Sequence, residues 1–549
     1  MAGASSFRLS HSFRLGQPAV VPDAPIAEAA ALYAAGNRDA AAACCLDLVA
    51  RQPRHFEALH MLGVLCCNRR AYADAVGFLR RAERVRQDVG RLYSNLGNAY
   101  AGVRLHHQAE VAYRRALALA PQPEASLLTD LAGAVSGAGR HVEAAALYQQ
   151  ALALRPDFSP ARYNLARCLA AQDRPAEAAA AFRLVLDAVA TDPERQEMVA
   201  SGLATALGAC GDYAAAAALC RSILAQHPDS APTAWNESLA LLCLGRYAEG
   251  WAAYEARWRV ANHDPPPPGS AVLDLAAVDG RDVLVLPEQG RGDLLQFARY
   301  APMLAARGAR VTLQVYRDVA PVLAALPGVR VITQEHAAPA ADCITPLLSL
   351  PLAFGTTAAT IPAEVPYLHV PPDRMAAWQA RLGARVQPRI GLAWRGLQHI
   401  PYRSMAPAML APLLAVGGCA FHALQKDITP SDRDWLARHG VAEHSAALED
   451  FGDTAALVSL MDLVITIDTA VAHLAGGLGA ASWVMLPFNA DWRWLTERED
   501  CPWYPTVRLF RQPTAGDWAD VVARVADALR QRLESEATVA QRRGSPDQA

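Results

Sequence analysis

Two groups of residues in this 549-residue chain have the types and spacing to do chemistry. The first is Asp468, Thr469, Ala470 and His473, within DLVITIDTAVAHLAGGLGAASWVMLP. The apolar run Leu463–Ile467 reads as a buried parallel strand. Asp468 then stands at the strand's C-terminal edge, where an α/β sheet presents ligands, and Thr469 can cap the helix that follows. The first turn of that helix, Ala470–Leu478, offers unpaired N–H groups and a positive dipole end, which suits a phosphate. His473 lies one turn in and can face the same crevice. An ordinary capped βαβ unit would carry much of this pattern too. The second group is EQGRGD, in which Gly290 and Gly292 allow a tight turn and Asp293 can cap a helix. One further residue stands out. Of 51 basic residues only Lys426 is a lysine, and a single ammonium in an arginine background invites a specific explanation.

The elements that position these residues form two α/β halves. Strands are expected at 283–287, 311–316, 329–333 and 342–344, with an amphipathic helix over 294–306, giving a half over 270–375. A connecting helix follows over Asp373–Gly383, and 376–388 is the segment that joins the halves. A second half over 389–535 has strands near 390–394, 419–424, 463–467, 481–486 and 507–511, and a final helix from Trp518 to Leu533. In DFGDTAAL, Asp453 and Thr454 read as the cap of another helix. Two such halves enclose a cleft at the strands' C-terminal ends.

Upstream the period changes. Small residues recur at Ala41, Ala75, Ala109, Ala144, Ala178, Ala216 and Gly250, at separations of 34, 34, 35, 34, 38 and 34. Four residues after each stands Cys45, Leu79, Tyr113, Tyr148, Phe182, Cys220 or Tyr254. Turns are marked by Gly36, Gly139, Gly211 and Gly245. The period and pattern resemble the tetratricopeptide repeat, in about seven units over 26–262. Helix pairs of this kind stack into a superhelix whose concave groove binds a peptide or protein. The small residue lets two helices approach, and the larger group fills the gap to the next unit. Trp251, Tyr254 and Trp258 form an aromatic ridge that reads as packing against the next domain. Residues 1–25 read as a loose leader, 263–269 as a polyproline break and 536–549 as a disordered tail.

Composition excludes several classes. Hydrophobic residues at 52% and charged residues at 19% are globular values, so a packed multidomain chain is expected. A net charge of −3 gives no basic surface for nucleic acid. No apolar run reaches the ~20 residues of a membrane span, and residues 1–16 lack a signal-peptide core, so a cytoplasmic location is expected. The eleven Cys show no paired metal spacing and read as small buried hydrophobes.

The motifs EQGRGDLLQFARY, GLAWRG with HIPYRSM, HALQKD, DFGDTAAL, DLVITIDTAVAHLAGGLG, LPFNADWRW and REDCPWYP occur in order. Together they resemble bacterial glycosyltransferases of the heptosyltransferase-like GT-B group, in the forms typical of members fused behind tetratricopeptide repeats. The resemblance covers about residues 30–535. The architecture is similar to protein O-linked N-acetylglucosamine transferases and flagellin glycosyltransferases. The resemblance implies a fold of a tetratricopeptide superhelix followed by a two-half GT-B region. It implies an inverting transferase that needs no metal and no cofactor beyond a nucleotide-sugar co-substrate, UDP-sugar favoured, with an acceptor protein or peptide in the repeat groove. It assigns Gln425, Lys426, Asp450, Phe451, Asp468, Thr469, Ala470 and His473 to the donor. Asp293 becomes the candidate general base, and Gly290, Gly292, Trp394, His399 and Arg403 become cleft-loop residues. Where related sequences carry an Asn-Asp pair before the matching Arg, this chain has Ile400-Pro401. That departure motivates one alternative, a protein-binding scaffold with a degenerate transferase region. The other alternative is an enzyme of lipopolysaccharide or polysaccharide synthesis.

Overall fold

The computed structural model describes residues 24–260, 268–396 and 404–544, with side chains to 537. Residues 1–23, 261–267, His399 and Arg403 lie outside this range, so the leader, most of the polyproline break and two cleft-loop residues are not placed. The chain divides into two compact units, 1–210 and 211–549.

The first unit is all helical. It contains α1 Ala24–Ala34, α2 Arg38–Arg51, α3 Phe56–Asn68, α4 Tyr72–Glu83, α5 Gly90–Gly102, α6 His106–Leu119, α7 Ala125–Gly137, α8 His141–Leu154, α9 Ser159–Ala171, α10 Pro175–Ala188 and α11 Pro193–Ala209. From α1 to α10 each helix packs on its successor. The repeating Ala41, Ala75, Ala109, Ala144 and Ala178 are all fully buried. The larger groups that follow them do not all reach forward to the next unit. Leu79 and Tyr113 fill notches in their own helix pair, where a Cβ on Gly63 or Gly97 would lie 2.4 Å from Leu79 or 2.5 Å from Tyr113. Phe182 does reach forward, against Gly202 of α11.

The second unit opens with α12 Tyr213–Leu224, α13 Ala231–Cys243 and α14 Tyr247–Tyr254, the last continued by a 3-10 turn over Glu255–Arg259. Two parallel sheets follow, so this region is α/β. The first holds β1 Asp282–Leu286, β2 Arg310–Val315, β3 Val329–Thr333 and β4 Cys343–Pro346 in the order β3-β2-β1-β4. The second holds β5 Arg389–Ala393, β6 Ala420–Ala423, β7 Leu463–Ile467, β8 Ser482–Leu486 and β9 Val507–Arg511 in the order β6-β5-β7-β8-β9. Strands β5, β7 and β8 are buried along their whole length, which is why they are apolar apart from Arg389, Thr466 and Ser482. In each sheet the chain leaves one strand in one direction and later returns to its other side, at β1/β4 and at β5/β7. These are the switch points at which such sheets bind ligands.

The connecting helices are α15 Arg291–Phe297, α16 Tyr300–Ala305, α17 Ala320–Leu323, α18 Leu350–Ala353, α19 Pro372–Leu382, α20 Ala411–Leu414, α21 Pro430–Arg438, α22 Phe451–Ser459, α23 Ala470–Gly477 and α24 Trp518–Gly544. Two differ from expectation. The single helix expected over 294–306 starts earlier, at Arg291, and is broken into α15 and α16. Pro302 has no N–H for the Ala298 carbonyl, and the Leu295 and Gln296 carbonyls are taken by Tyr367 Oη and Arg299 Nε, each at 2.8 Å. The connecting helix, expected over Asp373–Gly383, lies over Pro372–Leu382, started by Pro372 and stopped by Gly383 at φ 64°. Helix α24 runs on to Gly544, through the segment expected to be a disordered tail. No Pro or Gly interrupts it before Gly544.

Candidate functional site

The two motif groups, far apart in sequence, meet where α15 and α23 begin. A Cβ on Gly292 would lie 2.8 Å from His473 Cδ2 and 3.7 Å from Ala470 Cα. Only glycine allows this approach, since any side chain would strike the buried imidazole. The turn after β1 therefore lies directly against the helix start after β7, at the switch points of the two sheets.

Asp293 does not occupy the N-cap. Gly290 is the cap residue, and Asp293 Oδ2 reaches back from the third helical position to accept the Gly290 N–H at 2.8 Å. Its Oδ1 accepts from the Arg493 guanidinium, which also donates to Asp491 Oδ1 at 2.8 Å. Arg493 is almost fully buried and lies over the Trp492 ring at 4.1 Å. Burial opposes its charge, but Asp491 and Asp293 more than offset that and hold its pKa above the ordinary value. Sequence reasoning missed Arg493. Its signal was an arginine inside the otherwise aromatic WRW, a segment read as core packing.

His473 is buried, stacked on Trp494 at 5.3 Å between centroids and 20° between planes. Its Nδ1 lies 3.0 Å from Tyr504 Oη. Asp468 is likewise buried at the end of β7. Thr469 sits at the N-cap position of α23, but its side chain makes no capping bond. Its Oγ1 pairs with Thr466 Oγ1 at 3.3 Å, so the expected Thr cap is not made.

A row of loops continues from there. Gly396, after β5, faces Thr469, and a Cβ on it would lie 3.4 Å from Thr469 Cγ2. Gln425 Oε1 accepts the neighbouring Arg395 N–H at 3.1 Å, tying the β6 loop to the β5 loop. Lys426 is exposed and donates to the Glu449 carbonyl, one residue before Asp450. Asp450, not Asp453 or Thr454, caps α22. Its Oδ1 accepts from Gly452 N–H at 2.8 Å and Asp453 N–H at 3.3 Å. Asp453 sits one turn inside and takes the Trp378 Nε1–H at 3.0 Å. The Phe451 N–H donates to the Asp318 carbonyl at 2.9 Å, bringing α22 against the loop after β2. Trp394, assigned to a cleft loop, is instead fully buried in the core of the second sheet with Leu392, Met405 and Trp483. Among the described residues no group of three or more His, Cys, Asp or Glu could hold a metal ion.

The arrangement thus offers backbone N–H donors at two helix starts, one exposed ammonium and one positioned carboxylate. Chemically, it can bind an anion and orient a proton acceptor.

Profiles of the tetratricopeptide repeat match residues 26–88, 90–123 and 136–202. The chain is 29% identical over 353 residues to Protein FlbA of Caulobacter vibrioides, a match covering 58% of this chain. It spans 59% of that relative's length. Solved structures with similar folds include the Cut9–Hcn1 hetero-tetramer of the APC/C, at 16% identity, 44% of this chain, 47% of that chain and a TM-score of 0.37. Another is YrrB, described as a TPR protein with an unusual peptide-binding site, at 16% identity, 34% of this chain, 95% of that chain and a TM-score of 0.29. In the described chain no helix is long and apolar enough to cross a membrane. The N-terminal helical unit accordingly contains tetratricopeptide repeats, and an α/β region with two parallel sheets follows them.

Proposed function

We propose that this chain is an inverting glycosyltransferase of the GT-B kind, working without a metal in the cytoplasm. It moves a sugar from a nucleotide sugar, UDP-sugar favoured, to a protein or peptide recruited by the repeats. The observation that carries this reading is the approach of Gly292 to His473 and Ala470, which brings a carboxylate-bearing turn and an anion-binding helix start to one place. In the reaction the acceptor oxygen attacks the anomeric carbon as the bond to the diphosphate oxygen breaks. The acceptor proton passes to Asp293. A carboxylate offers about four lone-pair sites, and the Gly290 and Arg493 contacts occupy one on each oxygen. The N–H groups of Ala470 and its neighbours, with Lys426, stabilise the departing diphosphate. Phe451 and Gln425 lie along the same loop row and suit the nucleoside side. Repeats of this kind serve as protein-binding scaffolds, which supports a protein acceptor over a small glycan.

The test is thermal melting of the wild type and Lys426→Ala with UDP, ADP, GDP and CMP. At ~100 times its dissociation constant a ligand adds ~2.7 kcal/mol. One nucleotide, UDP in our reading, should raise the wild-type melting temperature, and the variant should lose most of that rise. If none of the four moves the wild type, the transferase reading falls and a scaffold with a degenerate α/β region takes its place.

A further inference from the structure

The turn that carries Asp293 is held from outside the sheets. Arg257, in the 3-10 turn after α14, is 1% exposed and has five N–H groups to place. Its Nε and Nη2 fork onto Glu288 Oε2 and Oε1, both at 3.1 Å. Its remaining donors go to Glu255 Oε1 at 2.6 Å, the Tyr254 carbonyl at 3.2 Å and Ser349 Oγ at 2.8 Å. The guanidinium is therefore saturated, and it also lies over the Trp258 ring at 4.3 Å. Glu288 Oε1 takes the Leu348 N–H as well, at 2.6 Å.

The next residue is held too. Gln289 has a left-handed backbone, φ 59°, which a side-chain-bearing residue keeps only under constraint. Its Nε2 donates to Tyr254 Oη at 2.8 Å, and its carbonyl accepts from Tyr316 Oη at 2.7 Å. Gly290 follows and is tied to Asp293. The three residues after Pro287 are thus fixed in turn: Glu288 by Arg257, Gln289 by Tyr254, Gly290 by Asp293 itself. The outside holders are the last residue of the last repeat helix, Tyr254, and Arg257 of the 3-10 turn that continues it, in the same compact unit as the sheets. Trp251, one turn earlier, anchors that helix against Trp492 at 5.2 Å between ring centroids.

We propose that Tyr254 and Arg257 are positioning residues: the last repeat helix sets the Glu288–Asp293 turn and so the placement of the Asp293 carboxylate. This rests on the transferase reading for its chemical consequence, but not for the clamp. The turn contributes no strand pairing of its own, and its left-handed residue would relax without the Tyr254 contact. Arg257 and Tyr254 touch neither candidate donor residues nor the loop row at Lys426, so donor affinity should be independent of them.

The test uses the full chain as wild type, Tyr254→Phe and Arg257→Lys. Hydrogen–deuterium exchange is followed over 288–294 and, as an internal control, over 463–467. UDP release from UDP-N-acetylglucosamine and UDP-glucose, with water taking the sugar in place of the acceptor oxygen, gives kcat and donor KM. Loss of one neutral hydrogen bond, ~1 kcal/mol, corresponds to about fivefold faster exchange across the turn, with the control unchanged. The variants should also lose kcat about tenfold or more at unchanged donor KM, a split that general destabilisation would not produce. Unaltered exchange over 288–294 in both variants overturns the proposal, as does an unaltered kcat in an active wild type. If Arg257→Lys does not fold, Tyr254→Phe decides alone. If the wild type releases no UDP, the transferase reading fails on these donors, while the exchange data still decide the clamp.

Discussion

Single side chains in this protein are placed by partners that no local pattern reveals. Arg493 is 200 positions from Asp293, so no spacing rule could link them, although each sits in a motif that the sequence makes conspicuous. His422 and His444 make a similar pair. Their rings stack at 5.4 Å, with His422 Nδ1 3.1 Å from His444 Nε2. One nitrogen must donate and the other accept, so at least one imidazole is neutral. Burial pushes His422 from its ordinary 6.5 down to about 4, aided by His444 and Arg389. His444 is lowered by burial and Arg381, with Glu443 pulling the other way. Between about 6.5 and about 4 the unfolded chain then binds more protons than the folded one, and stability falls as pH drops through that window. Each such histidine steepens the loss by up to ~1.4 kcal/mol per pH unit. His444→Gln keeps a partner for His422 and removes one titrating ring. Urea unfolding at pH 7.5, 6 and 5 should show a flatter acid limb for the variant, and an unchanged slope would remove the pair from the account.

At the scale of elements, the repeat was legible because it is written twice, once in small buried residues and once in turns. The turn position is left-handed at Gly36, Gly139, Gly211 and Gly245, with φ of 81°, 83°, 80° and 71°. The same position holds Arg70, Arg104 and Asp173, at 60°, 61° and 57°. Those three turns carried no glycine to announce them, yet the helix pair forces the same backbone. A Cβ at Gly139 meets nothing within 4 Å, so replacing it tests the backbone alone. Gly139→Ala should cost ~1 kcal/mol, and Arg70→Gly should gain ~0.5 kcal/mol after the greater freedom of unfolded glycine is subtracted. Urea melts of the two variants decide it, and a loss of stability in Arg70→Gly would show that its side chain matters more than its φ. The β-strands were legible for a different reason: β7 is a short, nearly continuous apolar run, while β3 and β9 set arginines among β-branched and large apolar residues. Helix α21 was not read, although Thr429 caps it through the Asp432 N–H and Pro430 opens it, because its nine residues carry little apolar periodicity. In α22 the cap was misplaced by three residues. Asp450 and Asp453 both suit a helix start, and only the capping geometry separates the cap from the buried acid that Trp378 holds.

At the scale of the whole molecule, the chain's compact division falls at Cys210, while the repeat pattern continues past it. Helices α12–α14 carry repeat residues yet pack with the sheets. Tyr213 Oη donates to Asn489 Oδ1 at 2.8 Å, Tyr247 meets Trp503 edge-on at 6.0 Å, and Trp251 meets Phe297 at 6.1 Å. A fragment beginning at Gly211 should therefore unfold in one cooperative transition. A fragment beginning at Gly269 loses Arg257 from the buried Glu288 and uncovers Phe297, Trp492 and Trp503, so it should bind a hydrophobic dye and aggregate. Calorimetry and dye binding on the two fragments check this, and equal behaviour would refute it. The same packing fixes where such a gene can be recombined. Ancestral shuffling or a deliberate graft can lengthen, shorten or replace the hairpins upstream of residue 210 and leave the aromatic seat at Trp251 untouched. The hairpins beyond that seam have to be carried over together with the sheets they pack on.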